Sequence, residues 1–313
     1  MRARRLLAMF LVALFSAGCS KGGLYNPAPT ASRTPTIAQP RTPSPSPKAG
    51  LLAFSSGESI YLVSLADNSI RRVTDGYSPS LSPSGREIVY CKDRNIWVVD
   101  ADGRNPRLLA EVFSPSPLES WSLGAASVAW SPDGRFILYN RSRTGGSGVS
   151  EVWVMDREGN QPKLLLQSGN FLLPTWVGTN QVAVYHKWDG IIELFGLEGQ
   201  IEGEINTRLQ RAALSAQKSP GEVELWLLGP IIPVLEGGDI VVGSEGTWDV
   251  IAQGLNPIWS PEGESIVFIH DGAIWIMQKD RSGKYQLVNL DLLEGMPKSR
   301  MPLVCSFLSW VAP

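Results

Sequence analysis

A four-residue turn followed by a strand-length apolar run recurs along this chain, and that recurrence limits the fold more than any other feature of the sequence. It is clearest in Trp130–Gly159, WSPDGRFILYNRSRTGGSGVSEVWVMDREG. Pro132 presets φ at the second position of the turn, Asp133 tolerates the third, and Gly134 supplies the positive φ that releases the next strand. Phe136–Tyr139 and Val152–Met155 are apolar and aromatic runs of strand length, the second closed by the turn Asp156–Gly159. No helix of ten or more residues fits between these signals.

The same register reappears elsewhere. Leu81 (SLSPSG), Trp130 (WSPDG), Trp176 (WVGTN) and Trp259 (WSPEG) each begin a turn, and nine residues later stand Tyr90, Tyr139, Tyr185 and Phe268. A second apolar run carries Trp97, Trp153 and Trp275, whereas the Trp176 copy puts Glu193 at that place. Counting on to Trp310, the copies start 49, 46, 83 and 51 residues apart. The long interval predicts a degenerate copy within Ala212–Gly254, around VELWLLGP.

A period of roughly 40–50 residues with about four short strands per copy implies a β-propeller. Each four-stranded sheet is apolar on both faces and buries them against its neighbours, with the repeated aromatics filling the wedges between sheets. Leu51–Gly76 has three strand-like runs and lacks an opening strand; Cys305–Val311 is an opening strand with nothing after it. Together they complete one sheet and remove two exposed edges. The expected fold is all-β: a six-bladed propeller of four-stranded antiparallel blades, its ring closed by N- and C-terminal strands sharing one blade.

The W-S-P-D-G turn followed by an I-W-x-M-D-x-D/E-G run resembles the WD-like repeat of the TolB-type six-bladed propellers. Residues 130–134, 259–263 and Trp153–Gly159 carry the resemblance, Leu81–Gly85 and Val98–Gly103 in part, and it extends over most of residues 51–313. It implies an extracytoplasmic propeller that takes partner segments at its mouth. Residues 1–50 leave no room for the α/β domain that precedes the propeller in that family.

At the N-terminus, Arg2, Arg4 and Arg5 precede the apolar run Leu6–Phe15, too short to span a bilayer. Residues 1–18 read as a signal peptide. Ser16-Ala17-Gly18-Cys19 resembles the bacterial lipobox, which implies a lipid on Cys19 and a membrane-anchored protein on the periplasmic side or the cell surface. Gly22–Gly50 is rich in Pro, Ser and Thr, so residues 19–50 form the lipidated Cys and an extended tether, reaching on the order of 80 Å. Residues 51–313 form the propeller.

Charge divides along the same boundary. Residues 1–50 hold seven Lys/Arg and no acid, leaving 21 basic against 30 acidic residues, a net −9, in 51–313. Such a domain is a poor partner for a nucleic-acid backbone.

Signals for catalysis are few. Apart from Cys19 the cysteines are Cys91 and Cys305, which read as two buried thiols ahead of a disulfide. CxxC, HExxH, GxSxG and a Gly-rich phosphate loop are absent, and no cofactor is implied. The register does pick out a cationic position eleven residues into each copy: Lys92, Arg141, Lys187 and His270. It falls in the loop after the second strand, which in a propeller lies on the mouth face with the blade-to-blade connections. Arg143 and Trp188 are close in sequence, and Val112–Ser127 (with Trp121) and Leu292–Val304 (with Lys298 and Arg300) read as long loops on that face.

Three readings follow. The first is a non-enzymatic module that docks an envelope protein through Lys92, Arg141, Arg143, Lys187, Trp188, Trp121 and His270. The second is a glycan- or peptidoglycan-binding propeller that stacks sugars on Trp121 or Trp188. The third is a propeller enzyme of lactonase or polysaccharide-lyase type, which needs Asp189, Asp271 and His186 or His270 to converge.

Overall fold

A computed structural model describes residues 50–112, 120–144, 149–170, 172–186, 189–207, 215–218, 226–229, 238–244, 247–293 and 308–312. The signal peptide, Cys19, the tether before Gly50, Lys187, Trp188, Lys298, Arg300 and Cys305 lie outside these residues. Among the described residues, apart from the 3-10 turn Leu290–Leu292, every regular element is a strand.

In chain order these are β1 (Leu51–Ser56), β2 (Ser59–Ser64) and β3 (Ile70–Asp75), then β4 (Tyr77–Leu81), β5 (Glu87–Lys92), β6 (Asn95–Asp100) and β7 (Arg107–Ala110). The third group is β8 (Ser120–Trp130), β9 (Phe136–Thr144), β10 (Ser150–Asp156) and β11 (Lys163–Ser168); the fourth is β12 (Leu172–Val177), β13 (Gln181–His186), β14 (Ile191–Gly196) and β15 (Ile201–Asn206). There follow β16 (Ser215–Lys218), β17 (Trp226–Gly229), β18 (Gly238–Ser244), β19 (Thr247–Trp259), β20 (Ser265–His270), β21 (Ala273–Gln278) and β22 (Tyr285–Asn289), and finally β23 (Leu308–Val311).

All pairings among them are antiparallel between sequential strands, except that β23 returns to β1, with Leu51 opposite Val311 and Phe54 opposite Leu308. The two ends of the propeller sequence therefore share one four-stranded sheet. The degenerate copy expected in Ala212–Gly254 forms β16, β17, β18 and the start of β19.

The expectation of six separate blades is corrected to five sheets, four of four strands and one of seven. The reason is β19. Its first part pairs with β18, from Thr247 opposite Ser244 to Gly254 opposite Gly238; its last part pairs with β20, through Leu255, Ile258 and Trp259. One continuous strand thus ends one four-stranded set and begins the next.

The repeated turns form because side chains stand in for missing backbone partners. In the Trp130 copy, Gly134 N–H donates to Ser131 O (2.9 Å) and Phe136 N–H donates to Ser131 Oγ (2.9 Å). Gly134 has φ 71°. The Leu81 and Trp259 copies repeat the pattern, with Glu87 and Ser265 N–H donating to Ser82 and Ser260 Oγ. All three serines are buried, which is where an unpaired hydroxyl would be costly.

The core lies between sheets. Ala53, Ile60 and Leu62 pack with Leu81, Ile88 and Tyr90; Val89 and Val98 with Trp130, Ile137 and Tyr139; Leu138 and Val152 with Trp176 and Val184. The seven-stranded sheet packs back on the first through Val267 and Ile274 against Leu52 and Val63. Aromatic pairs stand directly opposite across second and third strands: Phe54–Tyr61, Tyr90–Trp97, Tyr139–Trp153 and Phe268–Trp275. Phe54–Tyr61 and Tyr139–Trp153 are stacked, with centroids 5.4 and 6.4 Å apart.

Candidate functional site at the mouth face

Two families of loops meet on one face, as hydrogen bonds between them show. Gly76 N–H donates to Glu58 O (2.8 Å), Thr207 N–H to Gly190 O (2.9 Å) and Leu290 N–H to Gly272 O (2.9 Å). In each case the residue leaving an outer strand is tied to the hairpin between the second and third strands of the same sheet. Val112 N–H to Asn95 Oδ1 (3.2 Å) and Asn170 Nδ2 to Asp189 Oδ2 (2.6 Å) do the same through side chains.

The register of the expected cationic position shifts by one residue in the fourth sheet. Leu81, Trp130 and Trp259 stand opposite Ile88, Ile137 and Ile266, seven residues on, whereas Trp176 stands opposite Val182, six on. The turn after Trp176 is one residue shorter. His186, not Lys187, therefore occupies the place of Lys92, Arg141 and His270. By the same pairing Val184 replaces the aromatic, opposite Glu193. Tyr185 turns to the other face and is fully buried; burial pushes its phenol up to about 12. The signal was present in WVGTN, a residue shorter than WSPDGR before the apolar run.

These side chains do not form a uniformly basic collar. Arg141 Nε donates to Glu151 Oε2 at 2.6 Å, its guanidinium lies 4.9 Å over the Trp153 ring, and Nη1 reaches Val112 O at 3.4 Å. Trp153 Nε1 donates to the same Glu151 oxygen at 2.8 Å. His186 Nε2 lies 2.7 Å from Glu193 Oε2, and His270 Nε2 lies 3.2 Å from Asp271 Oδ2. Lys92 ends β5 and is half-buried.

Carboxylates stand at the hairpin tips: Glu58, Asp93, Asp189 and Asp271 are all exposed. Turn chemistry accounts for two of them. Asp93 and Arg94 have φ of 48° and 64°, and Asp271 and Gly272 have 46° and 68°. A two-residue hairpin needs this left-handed geometry, and Asp and Gly tolerate it best. Among the described residues the mouth face carries mixed charge.

The third sheet departs most from its neighbours. Part of the expected loop Val112–Ser127 is strand, since β8 begins at Ser120. β8 has 11 residues and β9 has 9, against 5–6 in β4, β5, β12 and β13. Pairing jumps between Leu123 and Val128, and beyond the jump Ser120–Leu123 pairs with Arg141–Thr144. The result is a ribbon extending from the mouth face, with Trp121 and Arg143 in register opposite each other. The sequence gives both residues; their pairing depends on the irregularity in β8, which leaves no local signal.

Among the described residues no group of three or more His, Cys, Asp and Glu side chains could hold a metal ion. His186, Asp189, His270 and Asp271 form the separate contacts given above. Cys91 is a buried free thiol, and burial pushes its pKa well up.

No protein-family model matches the chain, and no curated protein matches it. Solved structures do. TolB from Acinetobacter baumannii is 14% identical, with a TM-score of 0.59 over 84% of this chain and 67% of that one. An oligogalacturonate lyase in complex with manganese is 14% identical, with a TM-score of 0.53 over 78% and 77%. A chain of a nidogen–laminin complex is 12% identical, with a TM-score of 0.58 over 83% and 98%. The chain is a β-propeller protein. At these identities the likeness shows the fold, and the resemblance to TolB-type propellers holds at that level.

Proposed function

We propose that the chain is a lipid-anchored, extracytoplasmic propeller that docks a protein partner in a bacterial cell envelope and carries out no catalysis. Cys19 holds the lipid and residues 19–50 set the reach. In this reading the seven-stranded sheet counts as two blades sharing β19, which gives six. The observation that carries the proposal is the third-sheet ribbon: one repeat is lengthened at the end where the described hairpins between second and third strands lie. A repeat scaffold carries recognition on segments that depart from its common repeat, which supports the docking reading. The fold-level likeness to TolB supports it by analogy only.

The test is a crosslinked pull-down from native envelope, with the full chain as bait beside Trp121→Ala and Arg143→Glu variants. One discrete protein captured by the wild type and lost on both variants is the expected result. Capture unchanged by both would move the site off the ribbon. No protein on any bait, with glycan retained instead, would overturn docking in favour of the glycan reading.

A further inference from the structure

Sequence alone makes Arg141 a recognition residue. We infer instead that Arg141 is a positioning residue, part of a latch with Glu151 and Trp153 that fixes the ribbon to the propeller. Its bearing on recognition rests on the docking reading; the latch itself does not.

Arg141 stands at the root of the ribbon. In the sheet it is opposite Leu123, the last ribbon pair before the jump in register, and on its other side opposite Glu151 of β10. Its side chain engages the Glu151 carboxylate, the Trp153 ring and the Val112 carbonyl on the connection from the second sheet. Glu151 receives Arg141 and Trp153 on one oxygen, and its side chain is 8% exposed against 23% for Arg141. Removing either member of such a pair strands a charge in low dielectric. A planar guanidinium can bond a carboxylate edge-on while stacking on an indole; a lysine ammonium cannot do both.

The other sheets show what is specific here. The equivalent His186 bonds Glu193, which takes the place of the tryptophan, and His270 pairs with the exposed Asp271. Their second strands, β13 and β20, end at these residues. Only β9 runs on beyond its cation among the described strands, and there the cation is joined to both neighbouring strands and an adjacent connection. The position that ends a strand elsewhere anchors an extension here.

Hydrogen exchange resolved along the full-length chain tests the latch without a partner. Arg141→Ala and Glu151→Gln should each speed exchange at Ser120–Leu123 and Arg141–Thr144 by about tenfold or more, leaving β20 and β21 as slow as in the wild type. Arg141→Lys should fall with the alanine variant. The exchanged pair, Arg141→Glu with Glu151→Arg, should recover part of the protection. Unchanged ribbon exchange in both single variants would overturn the latch. If the exchanged pair protects the ribbon yet fails to regain a partner captured by the wild type, Arg141 is a contact residue and the inference fails. Absence of any partner on the wild-type bait would sink docking and leave the exchange result to decide the latch.

Discussion

The backbone N–H of Trp130 donates to the hydroxyl of Ser80, 3.1 Å away, and so joins the first strand of the third sheet to the first strand of the second. Ser309 Oγ accepts from Leu81 N–H at 2.9 Å one sheet earlier. Neighbouring innermost strands are too far apart to form a ladder, and a serine reaches across instead. Ser80→Ala leaves a shielded N–H unpaired and should cost about 1–2 kcal/mol. Urea unfolding would show the midpoint fall with the slope unchanged. A midpoint equal to wild type would mean that water replaces the hydroxyl at no penalty.

Glycines in the outer and inner hairpins offer a sharper comparison. Gly159 has φ 87°, and a Cβ there would run into Leu109 O on the preceding sheet; a Cβ on Gly103 would meet Val73 O at 2.8 Å in the same way. Gly178 has φ 69° with open space around its would-be Cβ. Gly178→Ala should cost about 1 kcal/mol for the backbone alone, and Gly159→Ala at least about twice that. Equal losses would show that the sheets slide apart freely at that contact.

Burial pushes the phenols of Tyr77, Tyr139 and Tyr185 from an ordinary 10 up to about 12. The unfolded chain therefore gives up these protons first. Their contribution to stability is complete below pH 10 and is lost as pH rises toward 12. The share of tyrosinate absorbance due to these three of the seven tyrosines should appear together with the loss of near-UV circular dichroism, not ahead of it. Ionisation of all seven tyrosines in a chain with intact near-UV signal would contradict the burial.

Lipidation has its own outcome. The full-length chain expressed in a bacterial host should incorporate a palmitate probe and sediment with membranes, and Cys19→Ser should lose the label. A wild-type chain that is released unlabelled would refute the anchor.

The parts of the fold that rest on turn chemistry were legible from residues alone. Ser82, Ser131 and Ser260 each complete a hydrogen-bond pattern that needs only a few neighbouring residues, so the SPxG signal transfers from copy to copy. Closure was legible because β1 and β23 each lacked a partner. The site was harder. Counting from Trp176 leads to Lys187, but the turn is one residue shorter there and the position falls to His186. Arg141 reads as an exposed cation until Glu151, ten residues away, is seen to face it. Such partners are set by pairing across strands, which counting along the chain does not reveal.

The seam between β1 and β23 has a consequence for how the molecule is made. Leu81 and Ser309 are 228 residues apart and meet only there. A chain halted after β22 would carry every described hairpin of the mouth face and still present β1 with a bare backbone edge. The last strand acts as a clasp, and any strand of the same sequence fits it. At high concentration, two molecules opened at the clasp could each fasten the other, giving a swapped pair whose rings are as complete as those of the single chain.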